Sequence, residues 1–511
     1  MSFTLSDQDK STLRTAAYGA VSLMAAAGAA GRPHRIATDG ALALASATGL
    51  VGHVLAVKAK DIALKGESTA ELADQVLPAL TAAMSLLTER DPAEAGNFRR
   101  TVLVAVEAAA RPGQGEPSPT MTEMARKITE ALDAAGAAPA GTDRPELRKA
   151  MEEIVESGFV GVSLRVHDER GEWTGSAGAA ELGGTAKPPE NGHVRIGSST
   201  KTFTAALVLR LVAEGRIALD APVADHLPEF GLDGRITVRM LLQHTSGVFN
   251  HTGEVDADGT ITPGIPIPYG ATGKEWLDNR FASYRPQELV ELALSKPARF
   301  EPGTSWSYSN TNYVLARLLI EKVTGRSFAE EMRRLIIGPL GLSGTVVPDT
   351  SPEIPAPYAH AYYRHEEDGR QETTDITRQN PSWVSTGGDM ISTTQDLHTF
   401  VSALLGGGLL PAPLLAEMCA PRPTGIPNMD YGLGVFVVST EGGTLISHNG
   451  AAAGHAALMY STPDGSRTLT AALNCVDDAG LSIAAAFLNA QQRLVGEVFR
   501  GGQADPAQPA D

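Results

Sequence analysis

Phe159-Val-Gly-Val-Ser-Leu-Arg-Val166 is a short run dominated by Val, Leu and Phe. Asp168-Glu-Arg-Gly171 interrupts it with turn-forming residues, and Glu172-Trp-Thr-Gly-Ser176 resumes an extended pattern. Two strand-like runs about a tight polar break read as a β-hairpin. Three more such runs stand near the other end of the chain: Gly443-Thr-Leu-Ile-Ser447, Ala456-Ala-Leu-Met-Tyr460 and Arg467-Thr-Leu-Thr-Ala-Ala-Leu473, the last two joined through Pro463-Asp-Gly465. A helical pattern over Leu481 to Val498 follows, and helix-rich sequence fills the middle. Strands at both ends around a helical middle predict an α+β fold. Its antiparallel sheet is built from both ends of the domain and flanked by helices, with a helical subdomain inserted.

Residues 1–140 have a different texture. Ala and Leu dominate, and Gly or Pro separates segments that read as helices over Asp7–Ala27, Thr38–Lys60, Thr69–Glu89, Ala93–Ala110 and Thr120–Ala135. Asp39, Ser68 and Asp91–Pro92 are the expected helix starts. Arg111 to Pro119 reads as a loop and Gly136 to Thr142 as an interdomain linker. The expectation is an all-α bundle of unassigned role over 1–140 and a chemistry-bearing domain over 141–511. His34 and His53 in the bundle read as ordinary solvated or hydrogen-bonded histidines.

Composition narrows the function classes. The 511 residues are 42% hydrophobic with 53 Gly and 32 Pro, which suits a globular, turn-rich protein and excludes collagen-like, coiled-coil and mainly disordered chains. With only Cys419 and Cys475, neither a disulfide framework nor a Cys-rich zinc site is available, and two buried free thiols are expected. Net charge is −17, of which residues 1–141 carry −2. No basic footprint for nucleic acid is visible. No run is long and apolar enough to span a bilayer; the nearest, Thr15–Gly31, is mostly Ala, Gly and Ser. Asp7 and Asp9 accompany Lys10 and Arg14 ahead of it, so it does not read as a secretory leader, and a cytoplasmic protein is expected. An Ala-rich bundle can present a flat apolar face, so self-association through it is a further expectation.

The chemistry is carried by three short motifs. In Gly197-Ser-Ser-Thr-Lys-Thr-Phe-Thr204, Ser198 stands where a helix begins and Lys201 lies three residues on, on the same helix face. A serine hydroxyl needs a neighbouring base, and a partly desolvated lysine can be one. Such a pair alone is weak, because chance supplies about one match in a chain this long. In Phe300-Glu-Pro-Gly-Thr-Ser-Trp-Ser-Tyr-Ser-Asn-Thr-Asn-Tyr313, Tyr308 and Asn310 are spaced to face one pocket from a loop, the phenol as proton relay and the amide toward a substrate carbonyl. Ser447-His-Asn-Gly450 lies on an expected strand, where Gly450 permits close backbone approach.

Taken in order, Ser198–Lys201, Tyr308–Asn310 and His448–Gly450 resemble the Ser-x-x-Lys, Tyr-x-Asn and Lys/His-x-Gly motifs of the serine β-lactamase and penicillin-binding-protein superfamily. The resemblance is greatest to the branch of class C β-lactamases, actinomycete-type D-alanyl-D-alanine carboxypeptidases and related esterases. Leu241-Leu-Gln-His-Thr-Ser-Gly247, Gly387-Gly-Asp-Met-Ile-Ser-Thr-Thr394 and Tyr431-Gly-Leu-Gly434 match in style, and the likeness runs over about residues 147–498. It implies a serine hydrolase or acyltransferase working through an acyl-enzyme on a small peptide, amide or ester, without cofactor or metal. Ser198 would be the nucleophile, Lys201 its base, Tyr308 the proton shuttle and Asn310 the orienting amide, with His448 replacing the third-motif Lys. The backbone N–H groups of Ser198 and Ala451 would form the oxyanion hole, and Asn449, Gly450 and Trp306 would contact substrate. A β-lactamase or esterase is the alternative within the same chemistry. A non-catalytic sensor is the alternative outside it, against which the intact Ser198, Lys201 and Tyr308 argue.

Two departures bear on the substrate. Carboxypeptidases of this branch carry an Arg shortly after Tyr-Gly-Leu-Gly, where this chain has Phe436, and Asn449 stands where Thr or Ser is commonest. Both remove groups that would meet a free carboxylate, which favours an uncharged leaving group. His244 is expected to be a structural hydrogen-bonder, and Trp383 to line the cleft or the core. His360, His365, Glu366, Glu367 and Asp368 read as a solvated loop without metal-ligand spacing.

Overall fold

The computed structural model describes residues 5–28, 33–45, 49–56, 68–90, 92–110, 118–134, 144–255 and 260–500. The chain divides into two compact units, 1–141 and 142–511. In the first, the described helices are Asp7–Ala27, Pro33–Ala45, Gly49–Ala56, Thr69–Arg90, Pro92–Ala110 and Pro119–Ala134. Ser6 starts the first helix with a reciprocal cap, its hydroxyl accepting the Asp9 N–H while the Asp9 carboxylate accepts the Ser6 N–H. Leu13, Leu23, Leu80, Leu87, Phe98, Ile128 and Leu132 fill the centre with no solvent exposure. The helix expected over Thr38–Lys60 is instead two, and it begins earlier, so Asp39 is a mid-helix residue. Pro33 explains the earlier start, since its fixed φ suits a first helical position. The expected linker 136–142 and most of the loop 111–119 lie outside the described residues. No described helix is long and apolar enough to cross a membrane.

In the second unit the two ends of the chain meet in one sheet. The strand Phe159–Asp168 pairs antiparallel with Gly171–Gly178 on one side and with Thr468–Asp478 on the other, Val162 lying opposite Ala177 and Leu473. His455–Ser461 follows, then Gly443–Ser447, Phe436–Thr440, Met429–Tyr431 and Arg422–Ile426, and Gly450–Ala452 pairs with His455–Ser461. One face is covered by the helices Pro145–Glu156 and Ala484–Val495, whose Leu147, Met151, Ile154 and Leu494 pack on Val162, Leu164, Leu458 and Leu473. The other face meets the helical subdomain through Met459, Ala457, Phe203, Leu207, Leu315 and Phe400. The fold is α+β with the inserted helical subdomain that the strand pattern predicts.

Two local expectations are corrected. The stretch read as a solvated loop around His360–Asp368 forms a hairpin, Tyr362–Glu367 with Arg370–Asp375, whose first strand runs parallel to the end of Thr468–Asp478. Its partners are polar pairs such as His365 opposite Glu372, so no hydrophobic run betrays it, and Asp368 and Gly369 take the positive φ of a tight hairpin turn. The last long helix starts at Ala484 rather than Leu481, because Leu481 takes a positive φ and the Asp478 carboxylate accepts the Ser482 N–H to close a turn there. Both cysteines are free thiols, Cys475 buried and Cys419 half-buried.

Candidate active site

The nucleophile candidate sits in the 3-10 turn Gly197–Ser199, which leads without a break into the helix Thr200–Ala213. The helix therefore includes the threonine-rich Thr200–Thr204, and it is buried along nearly its whole length. Three of its threonine hydroxyls bond to distant backbone. Thr202 donates to the Gly434 carbonyl at 2.7 Å, Thr204 to Thr386 at 3.3 Å, and Thr200 Oγ1 accepts the Met390 N–H at 3.2 Å. These bonds lash the turn to the two glycine-containing stretches noted in the sequence, and Ser198 stays half-buried at the cleft.

Lys201 Nζ lies 3.2 Å from Ser198 Oγ, 2.7 Å from Asn310 Oδ1 and 2.6 Å from the Gly387 carbonyl. The side chain is buried, no carboxylate among the described residues bonds to it, and burial pushes its pKa well below the ordinary lysine value. A neutral amine has two N–H bonds and one lone pair. The amide and carbonyl oxygens take the two protons, which leaves the lone pair for the Ser198 hydroxyl. Tyr308 also hydrogen-bonds Ser198, its ring 4.5 Å from Nζ, and burial raises the phenol above its usual range so that it stays protonated. With both groups uncharged, one proton can pass among serine, amine and phenol without burying net charge. Tyr308→Phe is expected to cost about 100-fold or more in acylation rate with little change in thermal stability, in the range for a positioned acid–base group. Stopped-flow acylation beside a melting curve checks it, and an unchanged rate would remove Tyr308 from the relay.

Tyr308 is held from below by His244, whose ring centroid is 4.4 Å away. His244 Nδ1 accepts the Ser309 N–H at 3.2 Å, and burial keeps the imidazole neutral. Asn310 is not in a loop, as expected, but is the first residue of the helix Asn310–Thr324. Its Nδ2 donates to Thr252 Oγ1 at 3.2 Å and its backbone N–H to Asn250 Oδ1 at 3.0 Å, so its amide is oriented by protein partners and turned on Lys201.

His448 and Asn449 fall in a break between the strands Gly443–Ser447 and Gly450–Ala452, not within one strand. His448 Nδ1 faces the Asn449 carbonyl at 3.0 Å and must carry the proton, so Nε2 accepts from the Tyr431 hydroxyl, also at 3.0 Å. Burial depresses its pKa to about 3, and the ring is neutral. Phe436 packs 5.2 Å from it. The Asn449 side chain is corrected: it takes no part in the cleft. It accepts the Met459 N–H at 3.2 Å and donates to Tyr460 and Gln491 at 2.7 and 2.9 Å, because the break in the strand lets it face the side opposite His448.

Gly450 is pressed against the nucleophile turn: a Cβ there would lie 1.9 Å from the Ile196 carbonyl and 2.6 Å from the Ser198 nitrogen. A Cβ on Gly197 would lie 2.6 Å from the Ala451 nitrogen, so the two expected oxyanion-hole nitrogens sit on adjoining backbone. Trp306 stands on the wall 5.9 Å from Tyr431 and 6.1 Å from His244. Trp383 is half-buried, and its carbonyl lies 2.9 Å from His251 Nε2. Sequence reasoning missed the Gly387 carbonyl, Thr252 and Asn250, which have no signature because backbone oxygens and loop amides are everywhere. It also passed over Asp389, fully enclosed beyond Gly388, with neither carboxylate oxygen bonded and its pKa raised by burial to about 7.

Residues 147–493 match the family described as Beta-lactamase. Penicillin-binding protein 4* of Bacillus subtilis is 30% identical over 318 residues, covering 59% of this chain and 65% of its own length. Esterase EstB of Burkholderia gladioli is 35% identical over 166 residues, 31% of this chain and 39% of its own. The chain thus matches less than two thirds of the length of these curated relatives. Among solved structures, the D-stereospecific amidohydrolase from Streptomyces sp. superposes with a TM-score of 0.61 at 36% identity, covering 71% of this chain and all of the other. The D-amino acid amidase from Ochrobactrum anthropi in complex with D-phenylalanine gives 0.58 at 25%, covering 70% and 99%. The match over more than half the length, with the serine, lysine and tyrosine assembled as described, places the chain in the beta-lactamase family, within the superfamily it shares with penicillin-binding proteins.

Proposed function

We propose that the protein is a serine hydrolase that forms an acyl-enzyme on Ser198 from an amide, ester or short peptide, with an uncharged group on the leaving side. The observation that carries this reading is the trio of contacts on Lys201 Nζ, which leaves a neutral amine's lone pair for the serine hydroxyl. Ser198 Oγ attacks the carbonyl carbon while its proton passes to Lys201, and the oxyanion is met by the N–H groups of Ser198 and Ala451. As the C–N or C–O bond breaks, the proton passes from Lys201 through Tyr308 to the departing amine or alcohol. Water then attacks the ester, returning its proton to the same relay and releasing the acid.

The neutral His448 and the adjacent Phe436 support the preference for an uncharged leaving side, since neither offers a positive charge to a carboxylate. An amidase or esterase reading is therefore favoured over a D-alanyl-D-alanine carboxypeptidase. The likeness to a D-stereospecific amidohydrolase at 36% identity supports a D-configured acyl donor. The test is intact-mass spectrometry with D- and L-phenylalanine amide, their methyl esters and a fluorophosphonate. A single adduct on Ser198, absent in Ser198→Ala, and faster turnover of the D-amide are expected. Labelling that survives Ser198→Ala would sink the assignment, and equal rates on both enantiomers would remove the stereochemical part.

A further inference from the structure

The strand Phe159–Asp168 sends Val162, Leu164 and Val166 into the apolar layer on one face of the sheet, so Arg165 and His167 point to the other. His167 stands directly opposite Glu172 on one neighbouring strand and Thr468 on the other. From the helix Thr394–Leu405, His398 comes down onto the same spot, its Nδ1 2.7 Å from Thr468 Oγ1 and its ring centroid 5.4 Å from that of His167. One ring nitrogen from each histidine and one carboxylate oxygen from Glu172 all lie within 4.8 Å of one another, and all three residues are half-buried. The His167 ring has no hydrogen-bond partner among the described residues; its one close ring neighbour is His398.

We propose that His167, His398 and Glu172 form a binding site for a divalent transition-metal ion, with Zn2+ the best match, which ties the helix Thr394–Leu405 to the hairpin. Two imidazoles and one carboxylate are a donor set that suits zinc and its neighbours rather than calcium or magnesium, which take oxygen ligands. The Thr468 hydroxyl anchors the His398 ring in the way a second partner orients a ligating imidazole. Arg165 is the competing element. Its guanidinium pairs with one oxygen of Glu172, which orients the carboxylate but sets a positive charge beside the incoming cation. The spacing 167, 172 and 398 carries no sequence signature, since two of the ligands are hairpin neighbours and the third arrives from more than two hundred residues away.

The site is separate in chemistry from Ser198, so its test is independent of the proposed hydrolysis. Full-length protein stripped with EDTA is titrated with ZnCl2 by calorimetry, and melting curves are recorded with and without the metal. The wild type is expected to bind one equivalent and to melt higher with zinc, since a ligand bound only by the native state stabilises it. His167→Ala removes a half-exposed ring that makes no hydrogen bond, so folding should survive while affinity falls roughly tenfold or more. Arg165→Gln should bind zinc more tightly than the wild type, because it removes the opposing charge and frees the carboxylate. Co2+ should give the visible bands of low-coordinate nitrogen and oxygen ligation, lost in His167→Ala and in His398→Gln. Hydrolysis of a small amide should be unchanged in all three variants. The proposal is overturned if the wild type binds no zinc below about 1 mM, or if His167→Ala binds as tightly as the wild type, which would assign the metal to other surface histidines.

Discussion

Lys201→Ala is expected to lower the acylation rate by about two to four orders of magnitude, the largest effect of any substitution that leaves the nucleophile in place. The reason is the geometry at Nζ. Asn310 Oδ1 and the Gly387 carbonyl hold the amine so that its free electron pair meets Ser198, and alanine removes that base. Lys201→Arg should fail nearly as badly, because a guanidinium stays protonated and has no lone pair to offer. The pH profile carries a sign. The amine is active when unprotonated, and burial has lowered its pKa well below the usual lysine value. Activity should therefore be held through neutral pH and fall on the acidic side, as Lys201 takes up a proton. Acylation rates measured against pH for the wild type and both variants check this. A rate that instead climbs steadily toward the ordinary lysine pKa would show a charged Lys201 and a different base.

Gly450→Ala should be the most damaging single methyl group in the catalytic unit. The added carbon would stand 1.9 Å from the Ile196 carbonyl oxygen, 2.6 Å from the Ser198 nitrogen and 2.8 Å from the Gly197 carbonyl carbon. All three are backbone atoms, so no side-chain rotation relieves the clash. The strand Gly450–Ala452 must lift from the nucleophile turn, and the Ala451 and Ser198 nitrogens separate. A destabilisation of about 1–3 kcal/mol is expected from overpacking. A loss of about 100-fold or more in rate should come with it, as for removal of an oxyanion donor. Gly234→Ala is the control, since a Cβ there meets nothing within 4 Å and its φ is not positive. Melting temperature and turnover of a small ester measure both. A Gly450→Ala protein with wild-type melting and wild-type rate would contradict the close approach.

The sheet was legible because its central strands are apolar and bounded by turns: Phe159–Val166 and Arg467–Leu473 read as strands and pair with each other through Val162 and Leu473. The hairpin Tyr362–Asp375 was not, because its outer half is polar on both faces, as at Glu366 and Gln371, and leaves no hydrophobic period to detect. Helix extent was misread where a side-chain-closed turn intervenes, as at Leu481, where the Asp478 carboxylate accepts the Ser482 N–H and the helix begins only at Ala484.

The same division runs through the site. Residue type and short spacing in the sequence by themselves determined the pairing of Ser198 with Lys201, since three residues along a helix is a local distance. They also determined that Tyr308, Asn310 and His448 carry the polar groups of the other two motifs. Only the tertiary structure decided which way those groups face and which protonation state they hold. Asn310 is turned onto Lys201 by Asn250 and Thr252, Asn449 is turned away onto Tyr460 and Gln491, and His448 is kept neutral between Tyr431 and its own neighbour's carbonyl. Each of those outcomes depends on burial and on partners between 11 and 60 residues away, or on the break that lets His448 and Asn449 face opposite sides. Desolvation and hydrogen-bond direction belong to the packed chain, and no local stretch of sequence contains them.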